Sequence, residues 1–170
     1  MNPSEFVSPA NARSRKASAL SPFPHMSPLD TAVWRAFMAT RAVEFEAVAY
    51  DVAVGGALAN LVPDGEIDKP MWVSLLKKRI DAVVLRREEV WTVEVKPVAS
   101  MAALGQALTY AYLYKKEGRT ELPVRPVIVA DRIDQDVIPL FLLYEVLVFS
   151  VAGVKDGLPS IEKVLGSYRR

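Results

Sequence analysis

The chain has no cysteine. Disulfides and thiolate zinc sites are therefore excluded. It has one histidine, His25, in a stretch rich in Ser, Pro and Ala. That placement argues against a histidine triad and against a histidine metal cluster. An oxygen-only metal site is what remains. No apolar run reaches the ~18 residues of a membrane helix. The first residues also lack the apolar core of a signal peptide. A cytoplasmic chain with no membrane partner is the expectation. Charge of one sign is not in excess: 21 basic against 20 acidic residues give +1. Any nucleic-acid binding must come from local clustering of cations. Glutamine is scarce, which makes Gln106 noticeable.

What is present is a folded chain. The 170 residues are 51% apolar, enough for one domain with a real core. Residues 1–26 are rich in Ser, Pro and Ala, with Arg13, Arg15 and Lys16. They read as a disordered or loosely attached arm. Residues 27–170 read as a single domain.

Ser27-Pro28-Leu29-Asp30 has the signature of a helix start. The helix is expected to run to Arg41, with Leu29, Val33, Phe37 and Trp34 as its apolar stripe. A long strand is expected over Val43–Val54, ended by Gly55-Gly56. Glu44, Glu46 and Asp51 interrupt its apolar character; they form either a solvated face or a source of a third carboxylate. Ala57–Lys69 reads as a loop, with a turn at Pro63-Asp64-Gly65. Pro70–Leu76 can extend the strand that follows. A helix is predicted over Ala99–Glu117, with Met101, Leu104, Leu108, Ala111 and Tyr112 towards the sheet. Gln106, Tyr110, Leu113 and Glu117 share another side. Lys115, Lys116 and Arg119 suit the negative end of its dipole. A buried strand over Val124–Ala130, a helix over Asp134–Tyr144 and a strand over Val146–Val151 follow. A turn at Gly153–Gly157 and a short helix over Ser160–Tyr168 close the chain. This order gives an α/β fold with a mixed central sheet flanked by helices.

The stretch that organises the chain is Lys78–Lys96. Two apolar runs, Ile80–Leu85 and Val90–Val95, flank Arg86-Arg87-Glu88-Glu89. They read as a β-hairpin. Acids interrupt both runs where a strand should be apolar. Strand alternation puts Glu94 and Lys96 on one face and Val93 and Val95 on the other. In the simplest register Asp81 arrives beside Glu94 and Lys96. Two carboxylates so close repel and raise each other's pKa unless a cation sits between them. A hard divalent ion prefers such oxygens and keeps several waters. The set suits metal-assisted hydrolysis of a phosphodiester. Lys77-Lys78-Arg79, just before Asp81, is the densest basic cluster. It is either a solvated face or an attractor of backbone phosphates.

At these residues the chain resembles the PD-(D/E)xK nuclease superfamily. Asp81 matches the family's first acid, and Glu94-Val95-Lys96 matches its E-x-K element. Gln106 and Tyr110, on the following helix, match the Q-x-x-x-Y of its RecB-like and mismatch-endonuclease branches. Ile80 stands where the family name has proline. The resemblance spans roughly Leu29 to Val151 and implies a restriction-endonuclease-like αβββαβ core. It implies Mg2+ or Mn2+ held by Asp81, Glu94 and the carbonyl of Val95, with Asp81, Glu94, Lys96 and Gln106 as catalytic residues. Glu44 and Glu46 are candidates for the acid the family often adds from its first helix. Lys77, Lys78, Arg79 and Tyr110 are candidate nucleic-acid contacts. The implied partner is DNA, handled in repair or recombination, with RNA an alternative and a homodimer admitted. The other readings are a non-catalytic nucleic-acid-binding or structural protein on the same fold, and a globular protein whose Asp81, Glu94 and Lys96 form plain ion pairs.

Overall fold

Ser27 opens the first helix as a reciprocal cap. Its hydroxyl accepts from the Asp30 N–H, and the Asp30 carboxylate accepts from the Ser27 N–H, both at 3.2 Å. Pro28 has no N–H to leave unsatisfied there. The helix, α1, runs Pro28–Arg41. It turns Val33, Trp34, Phe37 and Met38 into the core, while Leu29 faces outward. The computed structural model describes residues 14, 15, 23, 25–57, 63 and 68–151. The predicted turn at 153–157 and the helix over 160–168 lie outside the described residues.

The strands are β1 (Ser14–Arg15), β2 (Ala47–Val54), β3 (Lys78–Arg86), β4 (Glu89–Ala99), β5 (Val124–Ile133) and β6 (Leu147–Ser150). They lie in one sheet in sequence order. The first four pair antiparallel; β5 and β6 run parallel to their neighbours. The parallel step from β4 to β5 is bridged by helix α3 (Met101–Lys116), and the step to β6 by a 3-10 turn and α4 (Ile138–Leu143). Parallel strands need such crossovers. The mixed α/β sheet expected from the chain is therefore present.

Helices cover both faces. Trp34 and Phe37 of α1 pack with Val48, Tyr50, Ala82, Val84, Trp91, Val93 and Val95. On the other face, Tyr110 and Tyr114 of α3 pack with Val52, Val54, Ile80, Val83 and Leu85. Fully burying such a side chain contributes roughly 1.5–3 kcal/mol. These two layers hold β3 and β4 from both sides, so their charged ends have a rigid mount.

Three expectations are corrected. The strand after α1 begins at Ala47, because Ala42–Glu44 makes a 3-10 turn. Pro70–Leu76 does not extend β3; Lys69–Leu76 is a helix, α2, with Pro70 in its first turn. The inward side of α3 is Ala103, Leu104, Ala107, Tyr110, Ala111 and Tyr114, whereas Met101 and Tyr112 are exposed. Small Ala side chains let that side approach the sheet closely. Within residues 1–26, a few described residues touch the sheet and core. Arg15 pairs with Val48 on the β2 edge. Phe23 is buried, its ring 5.1 Å from that of Tyr50.

Candidate functional site

β3 and β4 pair from Arg86↔Glu89 to Ala82↔Val93 and then part. Beyond that point β4 continues along β5 to Ala99, and β3 continues along β2 to Lys78. The divergence deprives Val95 of a partner on the β3 side. The Asp81 side chain replaces it: Oδ2 accepts the Val95 N–H at 2.8 Å. A strand residue turns its N–H and C=O to the same side, so the Val95 carbonyl faces the same gap. Pro97, two residues further, has no N–H to satisfy, as suits a free edge.

Glu94 and Lys96 lie on the α3 face of β4, opposite Val93 and Val95. Glu94 is 1% exposed. Lys96 Nζ sits 2.7 Å from Glu94 Oε1, and its side chain is 33% exposed. The lysine therefore reaches solvent from beside a buried acid. The predicted register is observed: Asp81 comes to Glu94-Val95-Lys96 where the two strands separate.

The electrostatics follow from burial and from unequal charge. Burial pushes the Asp81 carboxyl up to about 6, against the Val95 N–H and the Lys96 charge. Burial and then the Asp81 charge push Glu94 up to about 7, against its bond to Lys96. Burial alone would lower Lys96, but the Glu94 and Asp81 carboxylates outweigh it and raise its pKa. Two acids thus share one permanent cation in a poorly hydrated place. Such a site favours uptake of a proton or of a further cation.

Gln106 and Tyr110 stand over this face from α3. Gln106 Nε2 donates to Tyr110 Oη at 3.3 Å. Tyr110 is buried, and burial together with the Glu94 charge raises its pKa. Arg79 belongs to the same neighbourhood but is engaged: Nη1 meets Asp51 Oδ2 at 3.1 Å and Nη2 donates to Ser74 Oγ at 3.1 Å. Lys77 is half-buried and Lys78 exposed.

Glu44 and Glu46 are not brought to the acids. Glu44 is held by Arg41 at 3.2 Å and by Arg86 at 2.8 Å. Arg86 is five residues along β3 from Asp81, roughly 17 Å of strand. Glu46 is exposed, and its N–H bonds the carbonyl of Leu85 at that same far end. Asp30, in the opening turn of the first helix, has a smaller electrostatic effect on the site. The Asp30 charge raises the pKa of Asp81, of Glu94 and of Lys96. Its capping role fully accounts for it in sequence, which hides the second one. Asp51, noticed as an interruption of β2, has φ +55 and one buried carboxylate oxygen, Oδ1, without a hydrogen bond. It also raises Asp81. Left-handed backbone at a non-glycine residue is strain of about 1–3 kcal/mol, and strain of this kind gathers at functional sites.

Comparison with family models, with curated proteins and with solved structures finds no match. The site stands on its geometry. Among the described residues no three His, Asp or Glu side chains converge as ligands for one ion. Two carboxylates and a carbonyl nevertheless fit a hard divalent cation, which completes its shell with water. Among the described residues no helix is long and apolar enough to cross a membrane.

Proposed function

We propose that the chain is a metal-dependent nuclease that hydrolyses phosphodiester bonds of DNA. One observation carries the reading: Asp81, Glu94 and Lys96 meet where β3 and β4 part, with Asp81 bonded to the Val95 N–H. The element order from α1 to β5 supports it, since a meander, a crossover helix and a parallel strand match the restriction-endonuclease-like αβββαβ core, with α2 as an insertion.

Asp81, Glu94 and the Val95 carbonyl would hold Mg2+ or Mn2+, which supplies a Lewis acid and a water ionised near neutral pH. Lys96 orients the attacking water and offsets the charge that grows on the phosphorus oxygens. Its bond to Glu94 fixes it in that posture before substrate arrives. Gln106, steadied by Tyr110, presents an amide to a phosphate oxygen or to that water. Asp30 adds negative potential that draws a cation inward. Processing of DNA in repair or recombination is the setting such chemistry suits.

The test is cleavage of labelled single strands, duplexes, flaps and branched junctions, with and without Mn2+, beside Lys96→Ala. Divalent-dependent cleavage lost in the variant supports the reading. Cleavage unchanged in Lys96→Ala removes it. A second reading, a non-catalytic nucleic-acid-binding protein, is favoured by one feature: Lys96 already occupies an oxygen of Glu94, and among the described residues no third side-chain ligand joins. Salt-sensitive binding without cleavage in either metal would select it.

A further inference from the structure

Helix α2 buries none of its residues. Met71, Trp72 and Leu75 are each at least half exposed, and Leu76 is partly so. At 100° per residue these four fall on one side of the helix, while Ser74, bonded to Arg79, falls on the other. An apolar stripe is thus turned to solvent by a helix anchored through Arg79 to Asp51. From Lys69 to Ile80 there are four cations and no acid, in a chain of net charge +1. Among the described residues Lys77 and Lys78 have no acidic partner.

We infer that α2 and Lys77-Lys78 form a stacking platform for unpaired bases, so that the substrate meets the site as a single strand or a frayed end. The inference rests on the nuclease reading for its purpose, not for its geometry. An indole flanked by Met and Leu offers a flat apolar surface, and unstacked bases supply the matching one. Lysines beside it neutralise the phosphates of the same strand. A duplex fits poorly: it hides its bases and would set charged phosphates against Met71 and Leu75. A second copy also fits poorly. A two-fold interface brings a patch against itself, which would oppose these lysines to their own images. An eight-residue helix is only about 12 Å long, short of the roughly 800 Å² per partner of a stable dimer. The platform is close to the acids, since Lys78 and Asp81 are three residues apart, about 10 Å along β3.

The test uses the protein's own fluorescence. Trp34 and Trp91 are buried, so Trp72 is the one tryptophan that a ligand can reach. The full chain is titrated with oligo-dT in EDTA, where metal-dependent cleavage is switched off. Quenching by oligo-dT well ahead of a duplex of equal length is expected. Trp72→Ala weakens binding about tenfold, the loss of one stacked base. Lys77→Ser with Lys78→Ser lowers the logarithmic salt slope by about 1.4. The inference is overturned if iodide fails to quench Trp72 in the free protein, because a second copy or the chain itself then covers it. Equal quenching by duplex, or oligo-dT affinity unchanged in Trp72→Ala, overturns it as well. Cleavage without quenching removes this inference and leaves the nuclease; quenching without cleavage does the reverse.

Discussion

The β3–β4 hairpin carries ionisable groups at both ends, and the two ends treat them oppositely. At the turn, Glu44 and Glu89 are met by three arginines. Arg41 and Arg86 hold Glu44, and Arg86 and Arg125 hold Glu89 at 3.5 and 2.6 Å. The Arg86 hydrogen bond leads in holding the Glu44 pKa below its usual value. Arg86 also lies over the Trp91 ring, 5.0 Å from its centroid. At the open end, Lys96 is the one cation that Asp81 and Glu94 share among the described residues, with Asp30 adding to the acid side, and both carboxyls are raised. The turn end uses charge to close a ladder. The open end leaves charge unbalanced where the ladder has been interrupted. Only the second arrangement gains by taking in a cation.

Altering the open end should therefore cost activity, while disturbing the balanced end should not. Lys96→Ala and Asp81→Ala are expected to lower divalent-dependent DNA cleavage by at least 10²–10³-fold, the scale of losing one charge-stabilising group. Glu44→Gln should stay within about twofold in the same assay. A loss on Glu44→Gln as large as on Asp81→Ala would erase the distinction between the ends.

The next effect is on cation affinity. Protons and metal compete for Asp81 and Glu94, whose pKa values stand at about 6 and about 7. Below pH 5 both are protonated and Mn2+ should bind weakly. Affinity should climb from pH 5 to 8, at up to about tenfold per unit for each proton displaced. Calorimetry in buffers of different ionisation enthalpy reads the protons released. Affinity flat across that range would mean that the metal, if bound, sits elsewhere.

Stability should respond in the sense set by linkage. The Asp81 pKa in the folded protein is above its value of 3.8 in a free chain. Between those two values the folded state holds a proton that the unfolded chain has lost. Stability therefore falls as pH rises from about 4 through about 6, and the penalty is complete above that. Asp81→Asn removes the charge and keeps an oxygen to accept the Val95 N–H. The variant should be more stable than the parent at pH 8, by up to roughly 3 kcal/mol, and equal to it at pH 4. Urea midpoints at the two pH values decide it. A variant less stable at pH 8 would mean that Asp81 serves the fold through its charge.

Much of this was legible in sequence, for reasons that differ by residue. The pairing of Asp81 with Glu94-Val95-Lys96 follows from a period of two and a short turn, which leave few registers. The helix start at Ser27 is legible because its signals, Ser27, Pro28 and Asp30, lie within four residues. Helix α2 was not: Met71, Trp72, Leu75 and Leu76 fit an apolar run, and nothing local says that they stay exposed. The inward side of α3 lies about a quarter of a turn from the expected one, because small Ala side chains carry little pattern while Met101 and Tyr112 carry much. Glu44 and Glu46 were drawn to the site by type alone. Which end of a strand they reach depends on the β2–β3 register, a long-range fact. Asp30 went unseen because one local role already explained it.

The smallest predicted effect tests the balanced end directly. Arg86→Ala removes the strongest partner of Glu44 and the cation over Trp91, but Arg41 still meets Glu44 and Arg125 still meets Glu89. Trp91 Nε1 also keeps its bond to Glu89 at 2.9 Å. The loss should therefore be about 1 kcal/mol at neutral pH, after discounting for solvent screening. Its pH dependence has a definite sign. A lowered carboxyl contributes stability above its free-chain pKa and loses it as pH falls through the folded value. The part of the Arg86→Ala deficit due to Glu44 should thus vanish in acid, leaving the part due to Trp91. At pH 8 the urea midpoint should move down for Arg86→Ala and up for Asp81→Asn. If both variants move it the same way, the two ends of the hairpin are not electrostatic opposites, and the raised acids of the open end lose their claim to be a cation site.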